Sequence, residues 1–197
     1  MSKNDQTCIE MAKQDIWDTL GVEKPEIFIN IFITGEHSTG KTSLVRAFVG
    51  QEFSADYHRT IGVNIFTKKL EMDGDDVSLA CWDMAGDERW NENRWNELRQ
   101  HYIEGPAGAL IVGDLSRKHT VSIIPEFYAP DMKEQWGETI PILLIANKRD
   151  LPRKVSAEDL EECKNVVGAV GVMETSAKSG DNATDAFITL ARIVLGR

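Results

Sequence analysis

Gly35-Glu36-His37-Ser38-Thr39-Gly40-Lys41-Thr42 is a stretch whose residue types can hold an anion and a metal ion side by side. Glycines at 35 and 40 let consecutive backbone N–H groups turn inward on one anion, and a helix start adds favourable dipole charge. Lys41 can reach the β- and γ-phosphates of a nucleotide, and the Thr42 hydroxyl is a hard oxygen suited to Mg²⁺. The pattern G-x-x-x-x-G-K-[ST] gains its weight from its surroundings: an apolar run, Ile27 to Ile33, precedes it and a helix-like segment, Ser43 to Val49, follows. The spacing predicts a nucleoside triphosphate site lined by Gly35, His37, Ser38, Thr39, Gly40, Lys41, Thr42 and Ser43.

The elements that must position this loop alternate in kind. Strand-like runs fall near 27–34, 62–70, 77–83, 108–114, 140–146 and 170–174, and helical ones near 40–49, 90–103, 119–136, 156–167 and 181–195. Such alternation predicts a six-stranded, mostly parallel sheet with helices on both faces. The turn Met72-Asp73-Gly74-Asp75-Asp76 is a hairpin signal, so the second and third strands should be antiparallel. Pro125 and Pro130 should break or kink the helix over 119–136. Residues 1–26 stand outside the alternation as an N-terminal extension, and 27–197 form the nucleotide-binding domain. In the extension Ile9, Ala12, Ile16 and Leu20 recur at helical spacing; that helix either packs on the domain or meets a partner or membrane.

Composition excludes several classes. A net charge of −10 argues against a nucleic-acid surface. Three cysteines, Cys8, Cys81 and Cys163, are too scattered for a disulfide framework or zinc site, which points to a reducing, cytoplasmic compartment. Apolar runs stop at strand length, so no membrane span is expected. Serine at position 2 and a final Ile-Val-Leu-Gly-Arg offer no lipidation site: either the protein is not lipid-anchored and any membrane contact is peripheral through a partner, or a tail follows this sequence.

Further motifs follow in order: Thr60, Asp83-Met84-Ala85-Gly86, Asn147-Lys148-Arg149-Asp150 and Thr175-Ser176-Ala177-Lys178. With them, residues 27–196 resemble the Ras superfamily of small GTPases, and "TIGV" at 60–63 with "WDMAGDER" at 82–89 looks most like the Rab branch. The resemblance implies a P-loop α/β fold, GTP or GDP with Mg²⁺, and effector and regulatory proteins as partners. Asp83 would then hold Mg²⁺ with Thr42 and Thr60, and the Thr60 and Gly86 N–H groups would meet the γ-phosphate. Asp150 can accept from both guanine N1–H and the exocyclic amine, a pair that adenine lacks. Asn147 and Lys148 would brace base and loop, with Ser176, Lys178 and the Ala177 N–H around the guanine carbonyl. By the same resemblance Phe53 covers the base and Tyr57 closes over the phosphates.

The departures from the family fall where water attacks. Asp87 stands where most small GTPases carry glutamine; it is shorter, accepts only when ionised, and is anionic beside a triphosphate. As a general base it would face charge repulsion and poor reach. His37 occupies a position that is glycine in Ras. Its imidazole could crowd the nucleophilic water, donate to the nucleotide, or point into solvent. Arg59 is either an internal arginine finger or a solvated charge. Arg89–Tyr102 is longer than the Rab pattern and carries Trp90 and Trp95, an effector surface or a cap on the core. Two readings follow: a GTP/GDP switch with slow hydrolysis, using Lys41, Thr60, Gly86 and Asp87, or a GTP-locked module that scarcely turns over.

Overall fold

A computed structural model describes residues 26–51, 63–84 and 106–197. Six strands form one sheet: β1 (Ile27–Thr34), β2 (Val63–Met72), β3 (Asp75–Met84), β4 (Gly108–Asp114), β5 (Ile142–Asn147) and β6 (Gly171–Glu174). Their spatial order is β2-β3-β1-β4-β5-β6. Only β2 and β3 pair antiparallel, about a turn that narrows to Asp73-Gly74 because both strands extend further than their apolar cores suggest. Every other neighbouring pair is parallel.

Period-two alternation sends successive residues of each strand to opposite faces, and each face is covered by its own helices. Ile31, Ile33, Leu79, Cys81, Leu110 and Val112 meet α1 (Lys41–Val49) and the last helix, Ala183–Val194. There the rings of Phe48 and Phe187 stack with centroids 4.2 Å apart. Phe32, Trp82, Ile111 and Leu144 face the other way. On that side Phe32 sits between the rings of Trp82 and Trp136, at 5.1 and 5.5 Å.

The helix expected over 119–136 is divided into α2 (His119–Ser122), a π-turn over Ile124–Tyr128 and α3 (Ala129–Trp136). Pro125 lies at the start of the π-turn and removes a donor there; Pro130 falls in the first turn of α3, where its missing N–H costs nothing. Helix α4 (Ala157–Val167) starts on a capping box in which Ser156 accepts from the Asp159 N–H and Asp159 accepts from the Ser156 N–H. Helix α5 (Ala183–Val194) ends beside the β2–β3 hairpin. Arg192 pairs there with Asp73 and Arg197 with Asp75, while Arg197 also donates to the Met72 carbonyl.

Register aligns the chemistry. Ile33 lies opposite Asp83 across β1–β3, and Asp114 opposite Asn147 across β4–β5. The loop after β1, Asp83 and Asn147 therefore meet along the carboxyl edge of the parallel strands, where open α/β sheets bind ligands. Among the described residues no helix is long and apolar enough to cross a membrane. The expected extension 1–26, the helix at 90–103 and Cys8 lie outside the described residues, apart from residue 26 itself.

Candidate functional site

The loop between β1 and α1 is shaped by backbone constraints that only its residue types meet. Gly35 has φ 133°, and a β-carbon there would collide with the Val112 carbonyl oxygen. Gly40 has φ 95°, and its β-carbon would strike the Asn147 amide. Ser38 between them also takes a left-handed turn, φ 56°. The Lys41 side chain curls back across the loop and donates to the carbonyls of Gly35 and Glu36, at 2.9 and 3.0 Å. The ammonium is thus held over the mouth of the anion cradle, with Lys41 only 6% exposed. Thr39 also donates to the Glu36 carbonyl, at 2.9 Å, and Ser43 follows Thr42 in the first turn of α1.

The metal corner is a hydroxyl and a carboxylate brought together from residues 41 positions apart. Thr42 Oγ1 donates to Asp83 Oδ2 at 2.5 Å. Asp83 Oδ1 is buried and meets no hydrogen-bond donor among the described residues. Burial pushes the Asp83 carboxyl above the usual value, with Thr42 and Lys41 opposing. A buried carboxylate oxygen without a donor, beside a hydroxyl and a phosphate loop, is a hard-oxygen set that fits Mg²⁺.

The third corner is built on Asn147, which is 1% exposed. Its Nδ2 donates to the Thr39 carbonyl at 2.9 Å. Its Oδ1 accepts from Thr175 Oγ1 at 3.0 Å and from the Ala177 N–H at 3.1 Å. One side chain thus fastens the phosphate loop to the loop after β6, and here the Ala177 N–H is engaged by Asn147. Lys148, at φ 65°, donates to the Ser38 carbonyl at 2.6 Å. Ser176 Oγ donates to Asp150 Oδ1 at 2.6 Å, which orients an otherwise exposed carboxylate. Lys178 is exposed at the rim of this corner.

Two groups of site residues were not singled out from the sequence. Asp114, fully buried at the end of β4, pairs with Lys148 at 2.8 Å and with Arg117 at 2.9 Å. Its only sequence signal is a carboxylate closing an apolar strand. Glu36 accepts from both the backbone and the ring Nδ1 of His37, and its second oxygen lies 3.9 Å from His119 Nε2. Burial alone would raise the Glu36 carboxyl, but the His37 hydrogen bonds outweigh it and hold it below the usual range. The His37 side chain is half exposed, with its ring turned to Glu36.

A family model described as the Ras family matches residues 30–196. The chain belongs to the Ras family. It is 30% identical to Ras-related protein Rab-19 of Rattus norvegicus over 177 residues, 89% of this chain and 79% of the relative. Human Ras-related protein Rab-4A matches at 30% over 89% of this chain and 78% of its own length. Ras-related protein Rab11D of Nicotiana tabacum is 32% identical over 85% of this chain and 73% of its own length. This is a small GTPase of the Rab branch, and the P-loop α/β fold expected for it is the fold observed. The structure gathers Gly35, His37–Ser43, Asp83, Asn147, Lys148, Asp150 and Ser176–Lys178 of this GTPase at one sheet edge. Phe53, Tyr57, Arg59, Thr60, Gly86, Asp87 and Arg89–Tyr102, with Trp90 and Trp95, lie outside the described residues.

Proposed function

We propose that this GTPase is a GTP/GDP switch whose intrinsic hydrolysis is slow. The observation that carries the switch is the stitching of the phosphate loop to the base loop through Asn147 and Lys148, which makes one rigid cradle from three segments. In that cradle the loop N–H groups bind the phosphates, and Lys41 exchanges its carbonyl partners for the β- and γ-phosphates, neutralising charge on the transferring group. Asp150, steadied by Ser176, selects guanine by accepting two hydrogen bonds from its edge. Thr42, Thr60 and Asp83 would hold Mg²⁺, which would supply positive charge to the triphosphate. Thr60 and Gly86 tether their loops to the γ-phosphate, and its loss releases them, so effectors that read Thr60 and Arg89–Tyr102 bind one state. Its seat is cytoplasmic.

Slow turnover rests on Asp87, which lacks the donor and the reach of glutamine. His37, at a loop position that is glycine in Ras, has its half-exposed ring on Glu36 and adds to this only where the ring swings toward the phosphates. The test is single-turnover hydrolysis of preloaded GTP with Mg²⁺, followed by chromatography over hours, for the wild type and Asp87→Gln. Slow GDP formation that Asp87→Gln accelerates supports the switch. Intact GTP in the wild type, restored to hydrolysis by Asp87→Gln, identifies a GTP-locked module instead. Wild-type turnover at a rate that Asp87→Gln does not raise overturns the role given to Asp87.

A further inference from the structure

Two cations reach the same stretch of phosphate loop from one buried carboxylate. Asp114 Oδ1 accepts from the Ser116 N–H and hydroxyl, at 2.8 and 2.7 Å. Its Oδ2 takes both Lys148 Nζ at 2.8 Å and Arg117 Nε at 2.9 Å. Each cation then passes a second hydrogen bond to consecutive loop carbonyls: Lys148 to Ser38, and Arg117 Nη2 to His37 at 2.9 Å. Lys148 belongs to the guanine motif. Arg117 belongs to no motif, and its contact joins residues 80 positions apart.

The arginine is set in place before it reaches the loop. Its carbonyl accepts from Thr120 Oγ1 at 2.7 Å, and its N–H donates to the Asp114 carbonyl at 2.9 Å. Thr120 is itself 1% exposed and accepts from the Asp114 N–H. A planar guanidinium can direct two donors at two acceptors at once, Asp114 on one side and His37 on the other; a lysine ammonium lacks that fork. With the carbonyls of His37 and Ser38 each held by one of these cations, the loop is fixed at its left-handed turn, Ser38.

We propose that Arg117 is a positioning residue of the nucleotide site, bracing the phosphate loop through the His37 carbonyl and so slowing nucleotide release. This rests on the reading of the loop as the phosphate cradle. It separates two tasks: Asp150 serves the base, with Lys148 shared between base and loop, whereas Arg117 serves the phosphate loop alone.

The experiment is release of fluorescent mant-GDP into excess GDP, with Mg²⁺ present, from the wild type, Arg117→Ala and Arg117→Lys. Preference for GDP over inosine diphosphate is measured in parallel by competition. Arg117→Ala is expected to release about tenfold faster, through loss of the guanidinium's charge-assisted hydrogen bonds to His37 and Asp114. Arg117→Lys should fall between the two, and the preference for GDP over inosine diphosphate should stay as in the wild type. An unchanged release rate in Arg117→Ala overturns the proposal. So does a faster release accompanied by lost GDP preference, because that marks general loosening of the site. A wild type that fails to bind mant-GDP removes the cradle reading itself, an outcome distinct from both.

Discussion

Replacing Asn147 by alanine takes three hydrogen bonds from a side chain that water scarcely reaches. Thr175 can rotate its hydroxyl to another acceptor, but the Ala177 N–H and the Thr39 carbonyl are fixed by the backbone. Thr39 is 0% exposed and Ala177 6%, so both groups stay desolvated after truncation. At roughly 1.5 kcal/mol for each orphaned buried group, Asn147→Ala should cost about 3 kcal/mol. That is on the order of a hundredfold in the folding equilibrium. The assay is urea unfolding by circular dichroism at fixed GDP and Mg²⁺, with GDP affinity measured separately so that the ligand's share can be subtracted. Asn147→Asp tests the direction of the argument. It keeps the acceptor for Thr175 and Ala177 but sets a carboxylate oxygen against the Thr39 carbonyl, so it should destabilise at least as much. A loss under about 1 kcal/mol for Asn147→Ala, at unchanged slope, would refute the reasoning by showing that water or relaxation satisfies the orphaned groups.

Gly40→Ala should lower the thermal midpoint of the GDP-bound protein and weaken GDP binding, because φ 95° and the Asn147 amide both exclude a β-carbon; ordinary affinity and stability would contradict that packing. Cys163 and Cys81 have thiols pushed up by burial to about 11 and about 12. In a Cys8→Ser variant neither should react with a thiol reagent at pH 8 until denaturant is added, and rapid labelling of the folded protein would count against it. Burial favours a higher pKa for Asp114, but hydrogen bonds from Lys148, Ser116 and Arg117 outweigh it and hold the carboxyl below its usual 3.8. Its folded value is depressed, so its stabilisation is present above 3.8 and is lost as pH falls through the lower folded value. Asp114→Asn should therefore be less stable at neutral pH yet flatter on the acid limb; an acid limb as steep as the wild type's would speak against this.

Local patterns carried much of the fold. Ile27–Thr34 and Gly108–Asp114 are read from sequence at their observed bounds, since continuous apolar runs end there at a glycine loop and at a carboxylate. Strand β5 starts at Ile142 rather than 140, after Pro141, which has no N–H to give a ladder. The prolines at 125 and 130 announced a broken helix, but not the π-turn, whose extra residue is decided by how Ile124 and Tyr128 pack in the core. The phosphate loop declares itself because one short segment carries all its chemistry. Asp114 and Arg117 do not, because their meaning lies in partners 34 and 80 positions away, Lys148 and His37. The pairing of Glu36 with His37 was likewise hidden. Neighbours in a loop can face each other or not, and only backbone angles decide it.

The Asn147–Thr39 and Lys148–Ser38 bonds span 108 and 110 positions of chain. Contacts of that separation form late, after the intervening sheet has closed the loop between them. During synthesis, a chain that has emerged only as far as α1 has the phosphate loop but nothing to hold it. The nucleotide capture proposed above then requires β5 and the Thr175–Lys178 loop as well. The two bonds therefore report that the chain through β5 has closed onto α1, and a chain that ends before β5 lacks both.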